Sequence, residues 1–417
     1  MGGDAMNRLG GIIAVIVIGL LGSVGPAAWA INPVGGGRFN VQSHIDLGTL
    51  SRANFTQVLT PVARTQSVVF YDFADTLCEL LAKEVGDWSR ASGVGVKHVC
   101  VDGDVATQQL IAERQAGKPP SADLFFLPNN NVRLMTGAGL VANVALVDLL
   151  PNAHGVDPSV ARESRGYLHG GTALPFHRNQ TVVAYNGQFV SKPPDTFASL
   201  AEFARTHPGK VAITTPNRGG SGSGFLETAL LALAPQCAKD LYTYNIADAQ
   251  AKDIAAKCMP SVVGYFKTLK PYVTFTNGNE ASVQALANNT AYIATVWEDD
   301  LYTLATKGLV PPTVHPILLA SGEVGDGDAM IVVAGTQKLE ASLLLADFLM
   351  GDKVQIDKLE QTGSRTARVD LQTRGHIPAT MAPFLLSDAM YHERTRTRIN
   401  GVISNASVAI FIKEILQ

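Results

Sequence analysis

Short apolar runs alternate with amphipathic segments along most of this chain. The runs are rich in β-branched and aromatic residues, which predicts buried strands. The segments between them carry apolar residues at helical spacing, as in 76–90 and 104–115. Strands that alternate with helices predict parallel sheets in an α/β fold. The predicted strands are 68–71, 96–101, 123–127, 181–185, 210–215, 291–297 and 329–334.

A Gly/Ser segment follows the predicted strand 210–215 and precedes an apolar helix that starts at Phe225. We interpret residues 220–224 as a flexible loop. With Gly222, Ser221 and Ser223, it offers backbone N–H groups, two hydroxyls and a helix N-terminus to a small ligand. An ordinary turn with a helix cap is the alternative. Phe225 stands where a dinucleotide fingerprint needs glycine, and Gly222 where a nucleophile elbow needs serine, so no catalytic motif is present.

Length and charge restrict the class of protein. At 417 residues the chain is too long for one ordinary core, so two lobes are expected. The formal net charge is −3 and no dense Lys/Arg run occurs, which argues against a nucleic-acid partner.

The N-terminus has the pattern of an export signal. Arg8 precedes the apolar run 11–21, and Ala28–Trp29–Ala30 fits a cleavage site. We predict a signal peptide at 1–30, a mature chain from Ile31 in the periplasm, and an N-terminal extension over 31–65. Initiation at Met6 and retention of the segment as an anchor stay open.

The four cysteines fit an exported chain. Of the three possible connectivities, two local disulfides are the simplest. No C-x-x-C is present, so zinc or thioredoxin-like chemistry has no support. We expect no metal and no cofactor. The predicted pairs are Cys78–Cys100 and Cys237–Cys258.

Polar and aromatic residues recur where the predicted strands end, and ligands bind at the carboxyl ends of open parallel sheets. The sequence Trp297–Glu298–Asp299 favours a cation, although acids also decorate helix N-termini. Arg178 fits a carboxylate or phosphate, or it pairs within the protein. The candidate ligand-binding residues are Asp72, Phe73, Asp75, Asn129, Asn130, Arg178, Asn179, Ser221, Gly222, Ser223, Asn277, Trp297, Glu298 and Asp299.

Several short segments follow one another in a characteristic order and spacing. They are 71–73 (YDF), 122–126 (ADLFF), 174–176 (LPF), 183–186 (VAYN), 195–200 (DTFASL), 209–211 (GKV), 280–297 and 343–355. As a set, over about 66–370, they resemble the bacterial extracellular solute-binding proteins of ABC importers, of the iron/thiamine/spermidine-putrescine type. No adjacent tyrosine pair is present, such as the ferric-binding members use as iron ligands.

The resemblance implies a type II periplasmic-binding-protein fold. Its first lobe would comprise 66–183 plus 297–336, and its second 184–296 plus 337–417. A monomeric, non-enzymatic receptor would close over a zwitterionic or cationic organic solute and deliver it to an inner-membrane permease with its ATPase.

Two other classes of protein stay open. A secreted hydrolase or transferase would use residues 220–224 as an anion cradle, with Ser221 or Ser223 beside His177 as the start of a triad. A membrane-anchored sensor would use the same lobes with an uncleaved N-terminus.

Overall fold

The structure, a computed structural model, describes residues 40–371 and 374–417. The predicted signal peptide and cleavage site lie outside the described residues. The strands are β1 Ser67–Asp72, β2 Gly95–Cys100, β3 Leu124–Leu127, β4 Glu163–Ser164, β5 Tyr167–Leu168, β6 Leu174–Asn186, β7 Val211–Thr214, β8 Val273–Thr276, β9 Ile293–Trp297, β10 Val314–Ile317, β11 Glu323–Val332, β12 Arg365–Thr366 and β13 Thr395–Thr397.

Helices follow most of these strands, as the sequence periodicity predicts. No helix within 40–371 and 374–417 is both long and apolar enough to cross a membrane. The helices are α1 Phe55–Ala63, α2 Asp75–Ser92, α3 Gly103–Gln115, α4 Val132–Gly137, α5 Leu146–Leu149, α6 Phe197–Thr206, α7 Gly220–Leu233, α8 Ala238–Leu241, α9 Asp248–Leu269, α10 Asn279–Ala287, α11 Glu298–Thr306, α12 Leu339–Leu349, α13 Asp352–Thr362, α14 Asp388–Arg394 and α15 Gly401–Phe411.

One long strand joins two sheet halves. The hydrogen-bonded order is β2-β1-β3-β11-β6-β9-β7-β8, and β6 belongs to both halves. Its first part pairs with β11, which in turn pairs with β3, while residues 181–185 pair with β9. Strands β1, β2 and β3 run parallel to one another, as do β7, β8 and β9. The strands β6 and β11 therefore form a crossing between two α/β lobes.

Separate hydrophobic cores define the two lobes. In the first lobe, Phe70 and Leu77 pack with Phe55 of α1 and Leu345 of α12. In the second lobe, Phe225 of α7 packs with residues of α9 and α15, including Phe411. We use "first lobe" for β1–β3 with α1–α4 and α12, and "second lobe" for β7–β10 with α6–α11 and α15.

This packing differs from the division expected from the sequence. Leu345 lies in the first core although 337–417 was expected in the second lobe, because the apolar face of α12 packs on α1 and β1. Conversely, Leu301 of α11 packs with Val182 and Ala294 of the second half-sheet. Residues 55–63 of the expected extension form α1, whose Phe55 and Leu59 are fully buried.

Two local elements differ from their sequence predictions. Residues 220–224 are the first turns of α7, so the predicted flexible loop is wrong. Strand β11 begins at Glu323, well before the predicted start at 329. Both stretches are rich in glycine, which carries little propensity for either helix or strand. The cysteines form the two disulfides Cys78–Cys100 and Cys237–Cys258.

Candidate functional site

The middle of β6 lines the floor of the cleft between the lobes. Pairing with β11 sets His177 opposite Asp328 and Asn179 opposite Asp326. Pairing with β9 sets Thr181 opposite Trp297. Because alternate residues of a strand share a face, these polar side chains form one continuous row with Trp297 at its end.

The first turn of α7 covers the Trp297 end of this row. Trp297 is buried, with 7% of its surface exposed. A Cβ on Gly220 would come within 2.8 Å of the indole Nε1, and one on Gly224 within 2.3 Å of Thr181 Oγ1. The glycines therefore allow the helix to approach both side chains directly.

Asp299 is a buried carboxylate two residues after Trp297 in the chain. It lies in the first turn of α11 and is 6% exposed. Burial raises its pKa to about 6, while the charge of His177 acts in the opposite direction. Its Oδ1 has no hydrogen-bond partner among the described residues. Burial and the neighbouring charges of Asp299, Glu280 and Asp75 also raise the pKa of Asp300.

Two further acceptors in the row are unpaired. Asn179 Oδ1 and Thr181 Oγ1 are buried and, within the described part of the chain, have no hydrogen-bond partner. A buried acceptor without a donor costs on the order of 1–3 kcal/mol. Together with Asp299 Oδ1, they make this stretch of the cleft a place where hydrogen-bond donors are favoured.

Next to the row, a buried ion network occupies the cleft. Glu227 of α7 accepts from Arg398 Nε at 2.9 Å and from Arg165 Nη2 at 2.6 Å. Burial acts to raise the pKa of Glu227, but the two guanidinium groups outweigh it and hold that pKa below its ordinary value. Arg398 also bonds Asp326 Oδ2 at 3.1 Å and Ser223 Oγ at 2.9 Å, and its Cζ lies 6.0 Å from the Trp297 ring.

First-lobe residues reach the same network. The backbone N–H of Asn129 donates to Asp328 Oδ1 at 2.8 Å, and its side chain donates to Asp326 Oδ1 at 3.3 Å. Phe73 packs edge-on against Phe126 with ring centroids 5.0 Å apart. Phe126 in turn contacts His177. A cavity of about 30 Å³ lies between these groups, which is room for about one water molecule.

Three candidate residues are already fully used within the protein. Asp72 accepts from the backbone N–H of Ala74 at 3.0 Å and lies 3.1 Å from His98 Nε2. Glu298 is held bidentately by Arg365 at 2.7 and 3.0 Å and accepts the N–H of Leu386.

Ser221, the third, is fully buried; its Oγ lies 2.9 Å from Thr214 Oγ1 and 2.8 Å from Asn279 Oδ1, and its backbone N–H also donates to Asn279 Oδ1. Its neighbour Gly222 packs against Thr214 and offers no side chain. Asp72, Glu298, Ser221 and Gly222 were all predicted to bind ligand, but their contacts are with the protein itself, so they support the walls of the cleft.

The remaining candidates lie around the cleft. Asp75 lines a groove of about 530 Å³ between the lobes together with Glu280 and Asp300. Asn130 lines another cavity between the lobes, of about 590 Å³. Arg178 donates to Asp157 at 3.1 Å, so it pairs within the protein, which was the alternative to binding a ligand.

Asn277 is exposed beyond β8, and the structure gives it no contact with the row. Sequence reasoning missed Asp326, Asp328, Arg165, Glu227 and Arg398. The alternation of glycine and aspartate in 325–328 was the available signal for the first two, since small residues at alternate positions of a strand allow close approach of a neighbouring backbone.

The structure places no nucleophile beside a base in the Gly/Ser segment. Ser223 Oγ donates to the carbonyl of Gly220 and accepts from Arg398. Ser221 bonds Thr214 and Asn279, and neither serine bonds His177. The hydrolase hypothesis therefore lacks the hydrogen bond that activates a serine.

Two α/β lobes linked by crossing strands around a polar cleft define the class of periplasmic-binding-protein folds. A family model described as bacterial extracellular solute-binding protein matches residues 87–383. This match covers most of the chain, so the chain belongs to that family. It is accordingly a solute-binding protein rather than an enzyme.

Two individual relatives share little sequence identity with this chain. Protein YnjB of Escherichia coli (strain K12) is 24% identical over 265 residues, covering 61% of this chain and 66% of that protein, just under two thirds of its length. The spermidine/putrescine ABC transporter substrate-binding protein PotD from Streptococcus pneumoniae superposes with a TM-score of 0.63 at 12% identity, covering 84% of this chain and 99% of that one.

Other solved structures of the same fold are named for different ligands. The periplasmic binding protein AfuA from Actinobacillus pleuropneumoniae, with fructose-6-phosphate bound, gives a TM-score of 0.57 at 14% identity over 84% of this chain and 99% of that one. A ferric binding protein from Campylobacter jejuni gives 0.59 at 12% identity, with coverages of 84% and 98%. At such identities the likeness shows the fold and leaves the solute open.

Proposed function

We propose that this protein is the periplasmic solute-binding component of an ABC importer and that its solute is a small organic cation or zwitterion. Its two lobes close over the solute, and the closed complex delivers it to an inner-membrane permease. The observation that carries the proposal is Asp299, a buried carboxylate with an unpaired Oδ1, two residues after the buried Trp297.

Charge supports a positively charged group on the solute. Asp326 is matched by Arg398 and Asp328 lies 3.0 Å from His177 Nε2, whereas Asp299 Oδ1 has no such partner among the described residues. An ammonium group supplies both the missing charge and up to three hydrogen-bond donors. An aromatic ring adds about 0.5–2 kcal/mol to the binding of a desolvated cation.

The proposed site contains the candidate residues whose atoms face the row. Asn179 and Thr181 would accept from the solute, Phe73 would form the first-lobe wall, and Asn129 and Ser223 would hold the ion network in place. Asp72, Glu298 and Ser221 are not part of this site, because their side chains are hydrogen-bonded within the protein.

A thermal-shift screen of the chain from Ile31 tests the proposal. The probes are choline, thiamine, putrescine, γ-aminobutyrate, succinate and glucose, which between them cover cations, a zwitterion, an anion and a neutral sugar. We expect a cationic or zwitterionic probe to raise the melting temperature, since a ligand at 100 times its Kd adds about 2.7 kcal/mol to the free energy of unfolding. A shift with succinate or glucose alone would contradict the proposal.

Asp299→Asn locates the site for whichever probe binds. The substitution keeps the size of the side chain and removes its charge, so we expect Kd in titration calorimetry to rise about tenfold or more. Asp240→Asn, which removes an exposed carboxylate paired with Lys257, is the matched control and should leave Kd unchanged. An equal Kd for Asp299→Asn and wild type would exclude Asp299 from the site.

A further inference from the structure

The hairpin formed by β4 and β5 has an unusual tip. Its two tip residues, Arg165 and Gly166, both have positive φ, at 49° and 78°. Glycine adopts this conformation freely, but for arginine it is uncommon and costs free energy. Such a residue persists when the surrounding structure holds it in place.

The hairpin is bonded to the second lobe at four points, three of them at its tip. Arg165 Nη2 donates to Glu227 Oε1 at 2.6 Å, and the N–H of Gly401 donates to the carbonyl of Arg165 at 2.8 Å. The N–H of Asn245 donates to the carbonyl of Gly166 at 2.9 Å. The N–H of Leu168 donates to Asn245 Oδ1 at 3.2 Å.

The hairpin itself belongs to the first lobe. Tyr167 packs against the first-lobe cluster that contains Phe125 and Leu127. Its partner Asn245 precedes Ile246, which is buried in the second-lobe core. The bonds therefore cross the cleft, beside the cavity of about 590 Å³ that both lobes line.

We propose that residues 163–168, here named the clasp, hold the two lobes closed through Glu227 and Asn245 before any solute binds. This proposal rests on the proposed function in that it describes the opening and closing of the same cleft. A closed, solute-free population makes entry of the solute depend on release of the clasp. The affinity for solute is then set partly by this contact and not only by the residues that touch the solute.

The other partners of Glu227 allow the clasp contact to be removed without unfolding the second lobe. Without Arg165, Glu227 keeps both bonds from Arg398 and a further bond from Ser404 Oγ. Its buried charge therefore stays compensated, and the second lobe should tolerate the loss. The Arg165 side chain is 8% exposed and reaches Glu227 through Nη2, whereas its buried Nε has no hydrogen-bond partner among the described residues.

The test measures the distance between the lobes without solute. Spin labels are attached to cysteines introduced at Val105 in the first lobe and Lys252 in the second, both of which are exposed. All four native cysteines are in disulfides and do not react. We expect wild type to show mainly the short, closed distance. Arg165→Asn keeps a residue that tolerates positive φ, and it should lower the ratio of closed to open molecules about tenfold.

Arg162→Asn is the matched control, because Arg162 pairs with Asp148 on the exposed surface of the first lobe alone. It should leave the distance distribution unchanged. Asn245→Gly removes the side-chain acceptor at a residue with φ of 50° and should also open the cleft. An open wild type, or identical distributions for wild type and Arg165→Asn, would overturn the clasp. Either result leaves the solute screen untouched, so the two proposals fail separately.

Discussion

Glu323 is a fully buried acid at the start of β11, where the second crossing strand begins. Its Oε1 accepts the N–H of Leu319 at 3.1 Å, whereas its Oε2 has no partner among the described residues. Burial raises the pKa of Glu323 to about 8, although hydrogen bonds from backbone N–H groups lower it in part. The folded protein therefore retains a proton that the unfolded chain releases near its ordinary pKa.

This difference makes stability depend on pH with a definite sign. The stabilisation is complete below the unfolded pKa of about 4.3 and is lost as pH rises through the folded pKa of Glu323, at about 1.4 kcal/mol per pH unit. Glu323→Gln does not titrate. We expect its free energy of unfolding in urea, relative to wild type, to increase from pH 5.5 to 8 and then level off. Parallel profiles for the two proteins would show that Glu323 is ionised in the folded state.

Sequence reasoning at the residue scale selected Trp297 and Asp299 at the end of a predicted strand and Asn179 just before the predicted strand 181–185. In the structure Asn179 and Trp297 lie in the row, and Asp299 lies in the first turn of α11 that follows Trp297. Their part in binding a solute stays a prediction. Sequence reasoning also selected Glu298, whose charge is neutralised by Arg365 from 67 residues further on. A carboxylate that binds a ligand and one that binds a distant arginine look alike in sequence, since only the fold brings the arginine near.

At the scale of elements, α7 is held against β7 by a glycine. A Cβ on Gly222 would lie 2.2 Å from the carbonyl oxygen of Thr214, which is backbone and cannot turn aside. Gly222→Ala should therefore push α7 outward and cost about 1–3 kcal/mol in the free energy of unfolding.

Gly264 in α9 is the matched control for Gly222→Ala. It is exposed, and apart from its chain neighbours and the backbone of its own helix no atom lies within 4 Å of its Cβ position. Gly264→Ala should therefore stabilise the protein by about 0.5–1 kcal/mol through helix propensity. Urea unfolding of both variants measures the difference, and a neutral or stabilising Gly222→Ala would refute the close contact.

The same contacts explain why two elements escaped prediction. Propensity disfavours a helix over 220–224 and a strand over 323–328, yet both form. On β11, a Cβ at Gly327 would lie 2.2 Å from the carbonyl of His177 and one at Gly325 2.5 Å from Gln180 Oε1. Tertiary contact selects glycine at these positions, and that contact is invisible in a local pattern.

On the scale of the whole molecule, the alternation of strands and helices was enough to predict two α/β lobes, but not which segments belong to each. The apolar helix 339–349 has no feature in its own sequence that assigns it to one lobe. Its place is set by α1, whose Phe55 and Leu59 complete the first core, in a stretch that the sequence suggested was only an extension.

This interleaving predicts how the protein unfolds. Strand β6 runs through both half-sheets. In addition, Glu298 of α11 in the second lobe is paired with Arg365 of β12, a strand that follows the first-lobe helix α12 in the chain. Unfolding either lobe therefore removes strand partners and a buried ion pair from the other. We expect one calorimetric transition whose van't Hoff and calorimetric enthalpies agree.

Two core substitutions, one in each lobe, distinguish joint from separate unfolding. Leu345→Ala in the first core and Phe411→Ala in the second should each cost about 2–5 kcal/mol. If the crossing strands couple the lobes, both variants lower the temperature of the same single transition, because free energy lost in one core destabilises the whole molecule. If the lobes unfold independently, each variant splits the trace and shifts only its own part. That result would mean that the β6 pairings and the Arg365–Glu298 ion pair stabilise the contact between the lobes less than each core stabilises its own lobe.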